Sequence, residues 1–202
     1  MATRYLMGYV LHLVIETALV EVALDRLEDW KKERLEFNLP VSGGDEVFKY
    51  LVPIHNREKT DAHYILDGDK VAKVDIDLKS IPAQDGESIY QSIKNAYKCE
   101  PLHLSRDDRK GCLEYVERVQ QRVHYLNATC PEIVFLELIQ NDKVDHLTNE
   151  EAKSKLVEIL DNRKLGSTAK DQHTLFNLYL RENAENKYIA HIASILDAIA
   201  VN

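Results

Sequence analysis

The chain has few of the residues that interrupt or cross-link a fold: 202 residues hold 7 Gly, 5 Pro, 3 Cys and a single Trp. With so little Gly and Pro and no low-complexity tract, a collagen-like or Pro-rich disordered chain is excluded. The cysteines, Cys99, Cys112 and Cys130, are odd in number and too widely spaced for a zinc knuckle or a CxxC pair. They read as reduced thiols in a cytoplasmic or nuclear protein that is not secreted. Uninterrupted apolar runs are also lacking. The stretch from Tyr5 to Leu24 carries His12, Glu16 and Glu21, each costly in lipid, and it has neither a basic leader nor a small-residue cleavage site. It reads as a buried helix rather than a membrane span or signal peptide.

Hydrophobic residues make up 45% of the chain and charged residues 30%, an ordinary globular balance, and the length suits one full core or one domain with a helical appendage. The formal net charge of −8 argues against a broad non-specific nucleic-acid surface, which needs clustered Lys and Arg. It is compatible with a nuclease, because bound cations offset metal-binding carboxylates.

Periodicity predicts one helix from about Thr3 to Leu35, with Leu6, Val10, Leu13, Val14, Thr17, Val20, Leu24 and Leu27 recurring at helical spacing. Pro40, Gly43 and Gly44 break it, and Val47 to Ile54 reads as a strand. The runs His63 to Leu66 and Val71 to Leu78, separated by Asp67-Gly68-Asp69, read as a β-hairpin. Asp85 can cap a helix from Gly86 to Lys98, and Ser105 can cap another. Ile133 to Ile139 suits a buried strand. From Leu147 the pattern is wholly helical, opened by a capping box of Thr148 and Glu151. Helices follow over about Gln172 to Arg181 and from Tyr188 onward. The expected domains are an α/β core over residues 1–146 and a helical extension over 147–202, packed on the core or on a partner.

On the second hairpin arm, alternation sorts Ala72, Val74, Ile76 and Leu78 to an apolar face and Lys73, Asp75, Asp77 and Lys79 to the other. A carboxylate and an ammonium two residues apart, Asp77 and Lys79, then project side by side. Phosphodiester hydrolysis by Mg²⁺ or Mn²⁺ needs oxygen ligands and a cation near the attacking water, which Lys79 can orient. A three-residue turn puts Asp61, at the start of the first arm, on the same face as Asp77; a two-residue turn puts it on the other. The plainer alternative is a solvated strand face.

On these residues the chain resembles the PD-(D/E)XK nuclease superfamily over roughly residues 8–140. The resemblance implies an αβββαβ restriction-endonuclease-like core, followed here by the C-terminal helical extension. It also implies a divalent-metal-dependent endonuclease acting on DNA or RNA, with Asp61 and Asp77 as metal ligands and Lys79 positioning the nucleophilic water. The helical acid of the family would be Glu16 or else Glu21, with Asp45 a further acid to weigh, and Gln91 and Tyr97 would stand for a Gln and Tyr on the following helix. His12, four residues before Glu16, matches the helical His that cap-snatching members use as a metal ligand; the ordinary reading is a core histidine. Thr60 stands where the motif has Pro, and Asp77 where Glu is commoner.

Other signals fall away. Gly43-Gly44-Asp45-Glu46 resembles the cyclase motif but precedes the only Asp-x-Asp strand instead of following it. Arg118 and His124 fit the HEPN ribonuclease spacing, though their offset separates them around a helix. Asp67, Asp69 and Asp75 lack the glycine and terminal Glu of an EF-hand. No P-loop or G-x-S-x-G elbow is present. The rival from another class is a non-enzymatic interaction protein presenting a helical surface, and the C-terminal helices can also support a homodimer.

Overall fold

A computed structural model describes residues 9–13, 17–38, 44–72, 76, 77, 80, 85–141, 143–166 and 168–201. Its centre is a four-stranded sheet built from β1 (Tyr9–Leu13), β2 (Leu35–Asn38), β3 (Ala62–Leu66) and β4 (Val123–Tyr125), in the order β2-β1-β3-β4. Every pairing is parallel: Leu11 lies opposite Phe37 and His63, Leu13 opposite Ile65, and Leu66 opposite Tyr125.

Parallel strands need long crossovers, and these are helical. Between β1 and β2 run α1 (Thr17–Leu24) and α2 (Asp29–Lys32). Between β2 and β3 the chain passes through α3 (Gly44–Glu46), a π-helical turn (Val47–Leu51) and α4 (Val52–Glu58). α5 (Gly86–Tyr97) and α6 (Arg109–Arg122) precede β4, and α7 (Pro131–Gln140), α8 (Asn149–Asn162), α9 (Ala169–Glu182) and α10 (Lys187–Val201) follow it.

Two cores sandwich the sheet. Ala62, Tyr64 and Leu66 face one way, packing with Val47, Phe48, Ile89, Ile93, Tyr115 and Val116 from the π turn, α5 and α6. Ile65 faces the other, into a core of α1, α7, α8, α9 and α10 that holds Leu19, Phe135, Leu160, Phe176, Ile192 and Leu196. The apolar stripes of the last helices are therefore consumed inside the chain. α10 lies along α1 and α8 along α7, so the C-terminal segment completes the second layer of the sandwich. No helix among the described residues is long and apolar enough to cross a membrane.

This architecture overturns the expected αβββαβ core. Residues 9–38 form strand, two helices and strand instead of one helix, and 47–58 are helical instead of extended. The hairpin is absent for a physical reason. All five residues of β3 are buried, as a strand covered on both faces requires, and its edges are taken by β1 and β4. No edge is left for a second arm: Asp67 leads into a 3-10 turn (Gly68–Lys70), and Ile76 and Asp77 lie outside any strand. Ile133 to Ile139 is helical too, started by Pro131 in its first turn and closed by Asn141 with φ of 53°.

Other expectations match. Asp85 caps α5 by accepting from the Ser88 amide, and Thr148 and Glu151 form the capping box of α8. The second central helix starts at Arg109, capped by Asp108 rather than Ser105. Cys99, Cys112 and Cys130 are unpaired.

Candidate functional site

In parallel α/β sheets, ligands bind beyond the carboxyl ends of the strands where the strand order reverses. Here the chain leaves β1 for β2 on one side and returns to β3 on the other, so the reversal lies between β1 and β3. The residues that leave β3 at that point are Asp67, Gly68 and Asp69.

Their geometry is fixed by the neighbouring loop after β4. The Gly68 amide donates to the Ala128 carbonyl at 3.0 Å and the Asp69 amide to the Thr129 carbonyl at 3.1 Å. A Cβ at position 68 would stand 2.2 Å from the Ala128 oxygen, so only glycine allows this approach. Asp69 Oδ2 accepts from Asn149 Nδ2 at 2.7 Å, which ties the turn to the start of α8.

Asp67 is less well served. Its Oδ1 is buried and has no hydrogen-bond partner among the described residues, and the same holds for Asn149 Oδ1. Burial, then the negative charges of Asp69 and Glu132, push the Asp67 carboxyl up to about 7. Two lysines stand near but are engaged elsewhere: Lys70 Nζ lies 2.8 Å from Asp45 Oδ1, and Lys153 Nζ 4.0 Å from Glu132 Oε1. The buried Asp67 and Asn149 oxygens without donors, beside the exposed carboxylate of Asp69, are oxygen donors of the kind a hard divalent cation takes. Asp67 and Asp69, with Asn149 beside them, fit Mg²⁺ or Mn²⁺ on that chemistry. Among the described residues, no group of three or more His, Cys, Asp and Glu side chains is arranged to hold a metal ion.

The residues singled out from sequence lie apart. Asp61 begins the segment that enters β3, at the opposite end from Asp67, and its carboxylate pairs with Arg122. Asp77 is exposed and off the sheet, with its carbonyl accepting from the Ser80 amide. Asp61 and Asp77 therefore do not share a hairpin face. His12 lies in β1, a strand rather than a helix. Glu16 and Lys79 lie outside the described residues. Of the further acids, Glu21 accepts from Asn177 and Asp45 holds Lys70. Gln91 bonds Glu87, and Tyr97 stacks on Phe48, so both are used within the α5 layer.

Asp67 and Asp69 were missed because Asp-Gly-Asp between two apolar runs is also the signature of a tight turn. A usable signal was present. His63 to Leu66 does not alternate polar with apolar as a half-exposed hairpin arm would, and acids directly after a continuous apolar strand mark the carboxyl end of a parallel one.

A second polar cluster fills the other half of β3. Arg122 Nη1 donates to His63 Nε2, which must then be the acceptor, because a guanidinium has no lone pair to offer. His63 therefore carries its proton on Nδ1 and donates to His124 Nε2 at 3.0 Å, leaving the His124 proton on Nδ1. Burial, followed by the charge of Arg122, lowers His63 to about 3 and His124 to about 4. Both rings are neutral at pH 7, and every lone pair in this chain of bonds has a donor, which marks the cluster as structural.

Compared with family models, curated proteins and solved structures, the chain matches none.

Proposed function

We propose that the chain is a divalent-metal-dependent nuclease that hydrolyses phosphodiester bonds of DNA or RNA, with Asp67 and Asp69 holding Mg²⁺ or Mn²⁺. The observation that carries this reading is the Asp67 carboxylate, partly buried at the strand-order reversal with one buried oxygen lacking a donor and its proton affinity raised by burial first and by neighbouring acids second. Such a group holds its proton up to about neutral pH, and a bound cation would favour its ionised form.

Glu16 is retained from the sequence as a further ligand. Its position lies outside the described residues, so its part in the site rests on the sequence alone. A third acid joining Asp67 and Asp69 would complete a carboxylate site. A cation bound there would lower the pKa of a water and neutralise charge on the scissile phosphate. The chain's own part is positional: Gly68 lets the loop after β4 close on the turn, and Asn149 orients Asp69.

The test has two arms. Thermal melting with and without Mn²⁺ should show stabilisation in the parent and none in Asp67→Asn, since a ligand bound only by the folded state raises its stability. Incubation with single- and double-stranded DNA and RNA in Mn²⁺ should show cutting that Asp67→Asn abolishes, and a parallel Lys79→Ala sample asks whether that lysine contributes. Absence of both the melting shift and cutting in the parent overturns the reading.

A further inference from the structure

Next to the acid pair lies a pocket of about 300 Å³, floored by Gly68 and the loop that leaves β4, and closed by the first residues of α10. Its polar groups are Asn127, Thr129, Asp145 and Lys187, and Ile133 and Tyr188 supply apolar wall. Gly68 belongs both to this pocket and to the Asp67-Gly68-Asp69 turn, so the pocket adjoins the turn that carries the two carboxylates.

The lysine is held in place. Lys187 Nζ lies 3.3 Å from Glu137 Oε2 and 4.5 Å from the centre of the Tyr188 ring. Tyr188 donates its hydroxyl to the same Glu137 oxygen at 3.0 Å, while Glu137 Oε1 is buried without a donor among the described residues. Hydrogen bonding to Tyr188 first, then to Glu137, raises the Lys187 pKa against the opposing effect of burial, so the half-exposed ammonium is charged and can turn from Glu137 to a phosphate.

The chemistry of this lining is of three kinds. A cation recognises phosphate, a side-chain amide both donates and accepts as a base edge does, and a carboxylate accepts from a sugar hydroxyl or an exocyclic amine. The volume is at the small end for pockets that take organic ligands, so it suits one nucleoside and excludes a stacked pair of bases. A base can enter only when unpaired, because pairing and stacking otherwise occupy its edge and faces.

Building on the metal-dependent nuclease reading, we infer that the pocket between the loop after β4 and the start of α10 binds the single unpaired nucleotide next to the phosphate presented to Asp67 and Asp69. The enzyme then acts on single strands or unpaired ends, with Asn127 reading the base and Lys187 holding the neighbouring phosphate.

The test is calorimetric titration of the full chain with each 5′-deoxynucleoside monophosphate, each 5′-ribonucleoside monophosphate and inorganic phosphate, with and without Mn²⁺. At least one nucleoside monophosphate should bind about tenfold or more tightly than inorganic phosphate, and Asn127→Ala and Lys187→Met should each weaken it by about fivefold or more. Asn127 is exposed, so its variant folds even if removal of Lys187 disturbs Glu137. Equal affinity for nucleotides and inorganic phosphate, or variants that bind like the parent, overturns the proposal. The Mn²⁺ melting shift separates the two readings: a normal shift without nucleotide preference defeats the pocket alone, and nucleotide binding without a shift supports the pocket and defeats the metal site.

Discussion

The two ends of β3 both carry an aspartate, and only one of them is at rest. Asp61, at the entry, lies against Arg122 and is about half exposed; Asp67, at the exit, is more deeply buried, faces other acids and has an oxygen with no donor. The same residue type on either side of the five residues of β3 is thus a satisfied surface ion at one end and a partly buried one with an unsatisfied oxygen at the other. Stability alone favours the first arrangement, and a binding site favours the second.

The sharpest way to break that comparison is to remove each charge in turn. Asp67→Asn should lower Mn²⁺-dependent cutting by about 100-fold or more and abolish the Mn²⁺ melting shift. Asp61→Asn should retain both. If the Asp61 variant loses cutting while keeping its fold, the roles of the two ends are reversed.

Next in size is the turn itself. Gly68→Ala drives a methyl group into the Ala128 carbonyl, so the two loops must separate. A loss of about 2–4 kcal/mol in urea unfolding is expected, against a value within about 0.5 kcal/mol for an exposed substitution such as Glu158→Ala.

The pH dependence of stability should differ between the ends as well. His63 and His124 are depressed well below the ordinary histidine value, so the unfolded chain takes up protons that the folded chain refuses as pH falls below about 6.5. Their stabilising contribution is full above that pH and is lost towards pH 4 and 3, at about 1.4 kcal/mol per pH unit for each ring. The charges that face them are Arg122, Arg118 and His191, with Asp61 behind Arg122. Asp67 runs the other way. Its raised carboxyl binds a proton more tightly in the folded state, so its contribution is present below about pH 4 and is lost as pH rises through about 7. Urea unfolding across pH 4–8 should therefore show a steeper rise with pH in metal-free Asp67→Asn than in the parent. At pH 8 the variant should be the more stable of the two.

The smallest effect belongs to the satisfied end. Removing the partly exposed Asp61 pair should cost no more than about 1 kcal/mol, because solvent screens it. A much larger loss would mean that Asp61 holds Arg122, and through it His63, in place.

How much of this was legible follows from which signals are local. The capping box of Thr148 and Glu151, the Asp85 cap and the strand through His63 to Leu66 depend on residues within a few positions and were read correctly. β1 is not legible in this way, because a largely apolar run without alternation satisfies helical and extended periodicity alike. Its switch from strand at Leu13 to helix at Thr17 is decided by pairing with residues 35–38 and 62–66. α7 failed for the same reason, with Ile133, Val134, Phe135, Leu136 and Ile139 all buried. The candidate site inherited the error. Read as a hairpin turn, Asp67-Gly68-Asp69 leaves its acids as loop residues and points to Asp61 and Asp77 instead.

The order of the strands has a further consequence for how the chain is made. β1 is translated before its three companions yet sits between two of them, one about 25 residues later and the other about 50. A nascent chain must therefore keep an apolar strand with two open edges out of aggregates until residue 66 has left the ribosome, and translational pausing or chaperone capture over that interval would set the yield of soluble protein.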